Sequence, residues 1–424
     1  MTTQLRTLRL QAAKLRRLSQ PYFLPYTEDN GWQFFGLLVC LLFCVAGLVL
    51  FLLTGLMNAL SWLKPDLTQI YLGGVQSSLS MLWSSGWGGA ITVLFGIGSI
   101  VFASIRSQLR HRRWLPWLFL GVIILMLLSV NGINAGITFL ARDLTNALIS
   151  RDADASYRNL WVYGACFAVA LPIRSLQLYF TQKLGLFWRE WLSLSLVDDY
   201  LTDRAYYILN PNDEAATNVD NPDQRISEDV RDFTAQALGF ALNIFDSILT
   251  FSLNILILYS VSEGLTFALL AYASAISILM IVAGRKLVRL NNFQLRFEAD
   301  FRYGLVRVRD NAESIAFYAG EKQEAKEVTR RLASVVENFN LLIVWEVLLR
   351  VLQRSSIYAS NFIPYLILAT PILAGEMDYG SFAQANVAYN LVEGSLFFII
   401  YNIEALARFS ASINRLEGFQ SNIL

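Results

Sequence analysis

Histidine occurs once in the 424 residues, at His111 within Arg-His-Arg-Arg, and cysteine only three times. One histidine excludes a Ser-His-Asp triad and every multi-histidine metal centre. Cys40, Cys44 and Cys166 all lie inside apolar runs, so neither a disulfide framework nor a zinc site is supported. No Gly-x-x-x-x-Gly-Lys-Ser/Thr phosphate cradle occurs, so the expectation is no ATP hydrolysis by this polypeptide alone. No catalytic residue or metal ligand is assigned. Charge is scarce at 16%, while hydrophobic residues make up 55% and aromatics 13%, with a mean hydropathy of +0.44. That balance is a membrane protein's. A net charge of +1 suggests no nucleic-acid partner.

A helix needs about 20 mainly apolar residues to cross a hydrocarbon core about 30 Å thick. Eight segments qualify: 32–53, 86–105, 114–141, 160–181, 238–261, 265–283, 357–374 and 382–403. The second, rich in glycine and serine, is the weakest by composition. With both termini in the cytoplasm, twenty-nine of the 34 basic residues fall on the inner side; Lys64, Arg142, Arg151 and Arg158 are outside and Arg174 lies within a span. This is the asymmetry of the positive-inside rule, and removing the second span would invert the later loops. The reading is an all-α, polytopic protein with eight spans. The first twenty residues suit a basic amphipathic helix on the inner leaflet or a solvated basic tail. A cleavable signal peptide does not fit; an organellar transit peptide stays open, because no acid precedes Glu28.

The inner loops are long, about 56 residues after the fourth span and about 73 after the sixth, whereas only Ser262, Glu263 and Gly264 separate the fifth from the sixth. Helix-forming residues from Gln224 to Val261, and from Leu265 to Ala319, predict spans prolonged into the cytoplasm, with Glu321 to Ala369 returning antiparallel. They lack the apolar content to close separate cores. Polar residues fall at helical spacing within the spans: Asn131 and Asn134; Arg174, Gln177 and Thr181; Asn243, Asp246, Thr250 and Asn254; Asn386, Asn390 and Glu393. A charge at the bilayer centre costs about 2.5–3.5 kcal/mol on insertion scales, so Arg174, Asp246 and Glu393 are expected to line a wet cavity or pair together. Interhelical hydrogen bonding accounts for most of the asparagines. Pro172, Pro364 and Pro371 are candidate kinks or ordinary transmembrane prolines.

Two stretches carry a resemblance. Val-Asp-Asn-Pro-Asp-Gln-Arg-Ile-Ser-Glu-Asp-Val at 219–230 and the segment 298–321 resemble the membrane domain of ABC transporters of the peroxisomal fatty-acyl class and their bacterial relatives, including the SbmA/BacA-like and cobalamin or peptide importers. The segment 407–419 resembles that group's exit toward its nucleotide-binding domain, and coverage runs from about residue 114 to the end. The resemblance implies an N-terminal part, 1–113, with two accessory spans, then an exporter-type domain, 114–424, with six core spans. It implies a homodimer with helices exchanged between protomers, in a bacterial inner membrane. Asn221, Pro222, Asp223, Gln224 and Arg225 would form the first coupling tip, and Glu298, Arg302, Glu313, Gly320 and Glu321 the second. No Leu-Ser-Gly-Gly-Gln signature is present. ATP and Mg are therefore expected on a partner ATPase domain, with no cofactor in this chain.

Three functions stay open. The first is an ABC permease half moving a polar or amphipathic solute, such as a peptide, corrinoid or acyl conjugate. The second is an autonomous proton-coupled transporter of the SbmA/BacA type, with Asp246 and Glu393 as proton carriers and Arg174 and Asn390 as cavity residues. The third is a membrane scaffold, which needs no polar faces inside the bilayer.

Overall fold

Long stretches of leucine, isoleucine, valine and alanine favour helix, and every regular element among the described residues is helical. A computed structural model describes residues 14–15, 18–19, 21–23, 31–63, 80, 83–84, 86–104, 114–208 and 222–423. The main elements are α1 (Gly31–Leu63), α2 (Trp87–Ser104), α3 (Trp114–Ile149), α4 (Ala153–Leu201), α5 (Val230–Val261), α6 (Glu263–Asp310), α7 (Ala312–Phe317), α8 (Glu321–Leu373), α9 (Tyr379–Tyr401) and α10 (Ile403–Ile423). Among the described residues six helices are long and apolar enough to cross a bilayer: α1, α3, α4, the rod Pro222–Val261 that contains α5, α6 and α8. The other two expected spans are helices that fall short of that standard. The helix α2 has only 18 residues, and α9 carries Gln384, Asn386, Asn390 and Glu393 within 23.

The expected outer loops contract. The helix α3 runs on to Ile149, and Asp152 caps α4 by accepting a hydrogen bond from Ala155 N at 3.0 Å, so Arg142 and Arg158 sit on helix ends. Ser262 alone separates α5 from α6, its hydroxyl accepting from Leu265 N at 3.2 Å. Both α4 and α8 continue through their prolines.

Residues 1–253 with 402–424 form one compact unit, and 254–401 another. In the first, Leu184, Trp188, Leu192 and Leu196 recur every fourth residue of α4 and are all buried. Against them pack Phe233 of α5 and Phe409, Ile413, Leu416 and Phe419 of α10. Trp188 meets Phe233 edge-on at 5.4 Å, and Phe233 stacks on Phe409 at 6.0 Å. The helix extensions thus close a core after all, because α10 supplies the apolar face that the loops alone lack. Leu18, Tyr22 and Phe23 join it, with Tyr22 stacked on Trp188 and Trp117 Nε1 donating to the Phe23 carbonyl at 3.2 Å. These N-terminal residues pack on protein rather than on a leaflet, and fully burying each such side chain is worth about 1.5–3 kcal/mol. The remaining basic residues expected of an amphipathic N-terminal helix, other than Lys14, lie outside the described residues, as does His111. Small residues bring α1 and α2 together: a Cβ on Gly98 would lie 2.7 Å from Cys44 Sγ.

The second unit is built on an antiparallel hairpin of α6 and α8, with α9 packed on it. Tyr272 Oη donates to the Ser356 carbonyl at 2.6 Å, and buried Asn338 donates to Gln294 Oε1 at 2.8 Å and to the Leu290 carbonyl at 3.0 Å. Farther along, Arg307 pairs with Glu324. Gly304 permits the closest approach: its missing Cβ leaves room for Arg331, whose Nη1 donates to the Asp300 carbonyl at 2.8 Å. The expected helix to Ala319 instead breaks at Asn311. Asn311 leaves helical geometry and its amide closes the last turn onto Arg307 O, before α7 resumes for six residues. Forty-eight residues still carry α6 about 72 Å at 1.5 Å per residue.

Candidate functional site

Five of the polar residues predicted inside the spans, Asn131, Arg174, Gln177, Asp246 and Thr250, meet in the first unit. Asn131 of α3 is 1% exposed; its amide donates to Asp246 Oδ1 of α5 at 2.6 Å and to the Leu127 carbonyl at 3.0 Å. Thr250, one turn beyond Asp246, donates to Asn131 Oδ1 at 2.6 Å. Arg174 of α4 completes the group, with Nη2 3.5 Å from Asp246 Oδ2 and Nη1 donating to Gln177 Oε1 at 3.0 Å. A cavity of about 270 Å³ opens against Arg174, Asp246, Thr250 and Asn134, with Phe167 and Leu171 as its apolar wall. The Arg174 side chain remains 53% exposed, so much of its guanidinium is free to meet a solute. Asn243 is exposed and stands apart from this cluster.

The same helix reaches the first expected coupling tip. Asn221 lies outside the described residues; from Pro222 the chain is one helical rod to Val261, with a π-helical turn at Arg225–Asp229. Such turns are frequent at functional sites. Pro222 is buried, whereas Asp223 and Gln224 are exposed, and Gln224 donates to Glu228 at 3.2 Å. Arg225 does not point to solvent. It donates to Asp229 Oδ2 at 2.8 Å, and Arg415 of α10 grips the same carboxylate through Nη2 at 2.7 Å and Nε at 3.0 Å. Asp229, with a side chain only 7% exposed, therefore bolts the base of the rod to α10. Asp229 precedes the apolar part of α5. Burial alone would raise its carboxyl, but the hydrogen bonds and charges of Arg415 and Arg225 outweigh burial and hold it below the usual carboxylate range. A second ion pair, Lys14 Nζ to Glu417 at 2.9 Å, ties the N-terminal segment to α10.

The second expected coupling region is the tip of the α6–α8 hairpin. Glu298 accepts from Gln294 within α6 at 3.1 Å, and Arg302, Glu313 and Glu321 are exposed. Gly320 N donates to the Ile315 carbonyl at 2.9 Å, and Ala319 before it takes a left-handed φ of 50° to make the turn. Phe317 and Tyr318 stand 81% and 80% exposed beside it. On α9, Glu393 is buried beside Ser360, which shares a hydrogen bond of 2.9 Å with Tyr389, but Asn390 is exposed. Three residues turn a helix by about 300°, so the two lie about 60° apart, and the edge between the buried and exposed faces of α9 passes between them.

Over residues 105–373 the sequence matches the family described as ABC transporter transmembrane region 2. The chain belongs to that family. It is an integral membrane component of the ABC-transporter type. It is 42% identical over 96% of its length to an uncharacterised ABC transporter ATP-binding protein of Synechocystis sp., and covers 61% of that relative. It is 33% identical over 75% of its length to the chloroplastic ABC transporter D family member 2 of Arabidopsis thaliana, covering 44% of it. The lysosomal cobalamin transporter of Homo sapiens is 27% identical over 59% of this chain and is covered to 41%. The chain thus spans from two fifths to three fifths of the length of these relatives.

Arg174 and Asp246 were legible as a pair because each alone is costly in a bilayer. The grip of Arg415 on Asp229 was not, since the partners stand 186 residues apart in sequence. The available hint was the four-residue spacing of Arg225 and Asp229, which places the two side chains on one helical face.

Proposed function

We propose that this chain is the transmembrane permease part of an ABC-type transporter, moving a polar or amphipathic solute under the drive of a nucleotide-binding domain. One observation carries the reading: a single uninterrupted rod, Pro222–Val261, bears the expected coupling residues at one end and the cavity carboxylate Asp246 farther along. From Asp223 to Asp246 is about 35 Å of continuous helix. A push at its exposed end is delivered to the cavity with no flexible joint between. In this reading Asn221 to Arg225 and the hairpin-tip residues Glu313, Gly320 and Glu321 meet the ATPase, where ATP and Mg are bound. Glu298 and Arg302 stiffen the approach on α6. Arg174 and Asp246 contact the solute.

The full arrangement proposed is eight spans, two accessory within 1–113 and six core within 114–424, with both termini in the cytoplasm and a bacterial inner membrane as the site. A homodimer fits the exposed faces. Val336, Leu341, Val344, Val347, Leu348 and Val351 of α8 are all half exposed, yet they precede the expected span and need a protein cover. The cobalamin named for the human relative and the cavity's mixed lining favour a corrinoid, peptide or acyl conjugate over a wholly apolar lipid. The proton-coupled alternative is less supported, because the more similar relatives carry ABC-transporter names.

The test is accumulation of cobalamin, a cationic peptide and an acyl thioester in proteoliposomes holding this protein with its nucleotide-binding partner. At least one solute is expected to accumulate with ATP and not with a non-hydrolysable analogue. Transport indifferent to ATP for all of them, or abolished by a protonophore alone, would overturn the proposal.

A further inference from the structure

A second depression between α4 and α5 lies away from the solute cavity. It has a volume of about 250 Å³ and is lined by Thr181, Gln182 and Arg189 of α4 and by Arg231 and Leu238 of α5, with Leu186 along its side. Arg189 stands fifteen residues beyond Arg174, and Arg231 fifteen before Asp246, so its charged end is about 22 Å along both helices from the cavity. Thr181 and Leu238 mark the ends of the two apolar spans, and the arginines lie seven to eight residues, about 12 Å, farther out. The groove therefore begins at the hydrocarbon edge and rises through the headgroup layer, which is about 5–7 Å thick, to arginines whose long arms reach back into it.

Its chemistry is graded in the same direction. Leu238 stands at the inner end beside Thr181 and Gln182, Leu186 lies between, and the outer end is cationic. Among the described residues Arg189 makes no ion pair, and Arg231 meets only its neighbour Asp232, at 3.0 Å with both side chains half exposed, which neutralises little. Glu190, next to Arg189, and Glu228, one turn before Arg231, are both exposed. Thr181 Oγ1 is buried with no partner among the described residues, leaving a donor for an ester or phosphate oxygen. The volume is below the roughly 300–1,000 Å³ of a site that encloses a whole small molecule. It suits a phosphate and the first carbons of a chain that continues into the bilayer.

We propose that this groove binds an anionic phospholipid of the inner leaflet, its phosphate held between Arg189 and Arg231 and its acyl chain laid along Leu186 and Leu238. Basic pockets between helices at the cytoplasmic side are the general form of such sites. The proposal rests on the orientation given above and not on the solute or its energy source, so it stands or falls separately from transport. Occupancy would fasten α4 to the base of α5 beside the Asp229 bolt.

The test is native mass spectrometry of the full chain after exchange into mixed micelles of phosphatidylglycerol or phosphatidylcholine, with inorganic phosphate as a third arm. The wild type is expected to retain phosphatidylglycerol about 10- to 30-fold more than phosphatidylcholine, from two arginines near the surface. Arg189→Gln with Arg231→Gln should abolish that preference, while Arg158→Gln, at the opposite end of α4, should keep it. If the double variant does not fold, Arg231→Gln alone, an exposed position, should lower the preference severalfold. Equal retention of the two lipids by the wild type would overturn the proposal. So would a preference unchanged in the arginine variants, or displacement of phosphatidylglycerol by millimolar inorganic phosphate, which would assign the site to a free anion.

Discussion

Asp229 and Asp246 stand seventeen residues apart on one rod, each beside an arginine from another helix, and they are treated in opposite ways. Asp229 is nearly inaccessible and takes four hydrogen bonds of 2.7–3.2 Å from two guanidiniums. Asp246 keeps a looser ion pair at 3.5 Å with an arginine that is half in solvent, and its tight hydrogen bond comes from a neutral asparagine. A carboxylate fully satisfied by protein has nothing left to offer a ligand; one facing a half-exposed arginine can exchange that partner for a solute. On the function proposed above, the contrast separates a joint from a receptor on the same helix.

The comparison can be broken most forcefully at the joint. Asp229→Ala leaves Arg225 buried and uncompensated, and should cost about 3 kcal/mol of unfolding free energy in detergent. This is the low end of the roughly 3–5 kcal/mol for a broken buried pair, because half-exposed Arg415 can rehydrate. A loss below about 0.5 kcal/mol would show that the grip is incidental. A double-mutant cycle of Asp229→Asn and Arg415→Gln should return a coupling energy of about 1–3 kcal/mol, whereas Asp246→Asn and Arg415→Gln should add independently.

Acid sharpens the same contrast. The Asp229 carboxyl titrates lower in the folded protein than in the unfolded chain, so its stabilisation is complete above the unfolded pKa of about 3.9 and fades as pH falls through the folded value. Stability should therefore decline below about pH 4, and Asp229→Asn should flatten that part of the profile while lowering stability at pH 6–8 by an amount that does not vary with pH. The smallest stability effect is expected at the receptor. Asp246→Asn keeps an acceptor for Asn131 and should cost only about 0.6 kcal/mol, the average interhelical hydrogen bond in a membrane. A cost comparable to that of Asp229→Ala would abolish the distinction.

Legibility in the sequence followed the range of the interactions. The rod, expected from Gln224 to Val261 and found from Pro222, and the antiparallel return of α8 are local patterns of helix formers and apolar runs and could be read directly, whereas the expected connection of Ser262, Glu263 and Gly264 shrinks to Ser262 because its hydroxyl caps α6. The break at Asn311 was hidden because Ala312–Phe317 favours helix again; tertiary geometry at the hairpin tip overrides that local preference. The core formed by Leu184 to Leu196 was underestimated because its covering face, Phe409 to Phe419, comes from a helix more than two hundred residues later. At the cavity, insertion cost pointed to Arg174 and Asp246 as paired or cavity-lining residues; the two side chains lie 3.5 Å apart and both border the cavity. The exposure of Asn390 depended on where α9 meets its neighbours, which spacing alone does not encode.

The central claim is that the cavity on α4 and α5 receives the solute that the ATPase moves. Its most direct test is solute transport and ATP hydrolysis, measured together, for Arg174→Gln assembled with the nucleotide-binding partner in proteoliposomes. Basal hydrolysis should stay near the wild-type rate, while solute affinity and solute-stimulated hydrolysis fall about 10-fold or more, the loss expected for a charged hydrogen bond. Transport by Arg174→Gln at the wild-type rate and affinity would contradict the account.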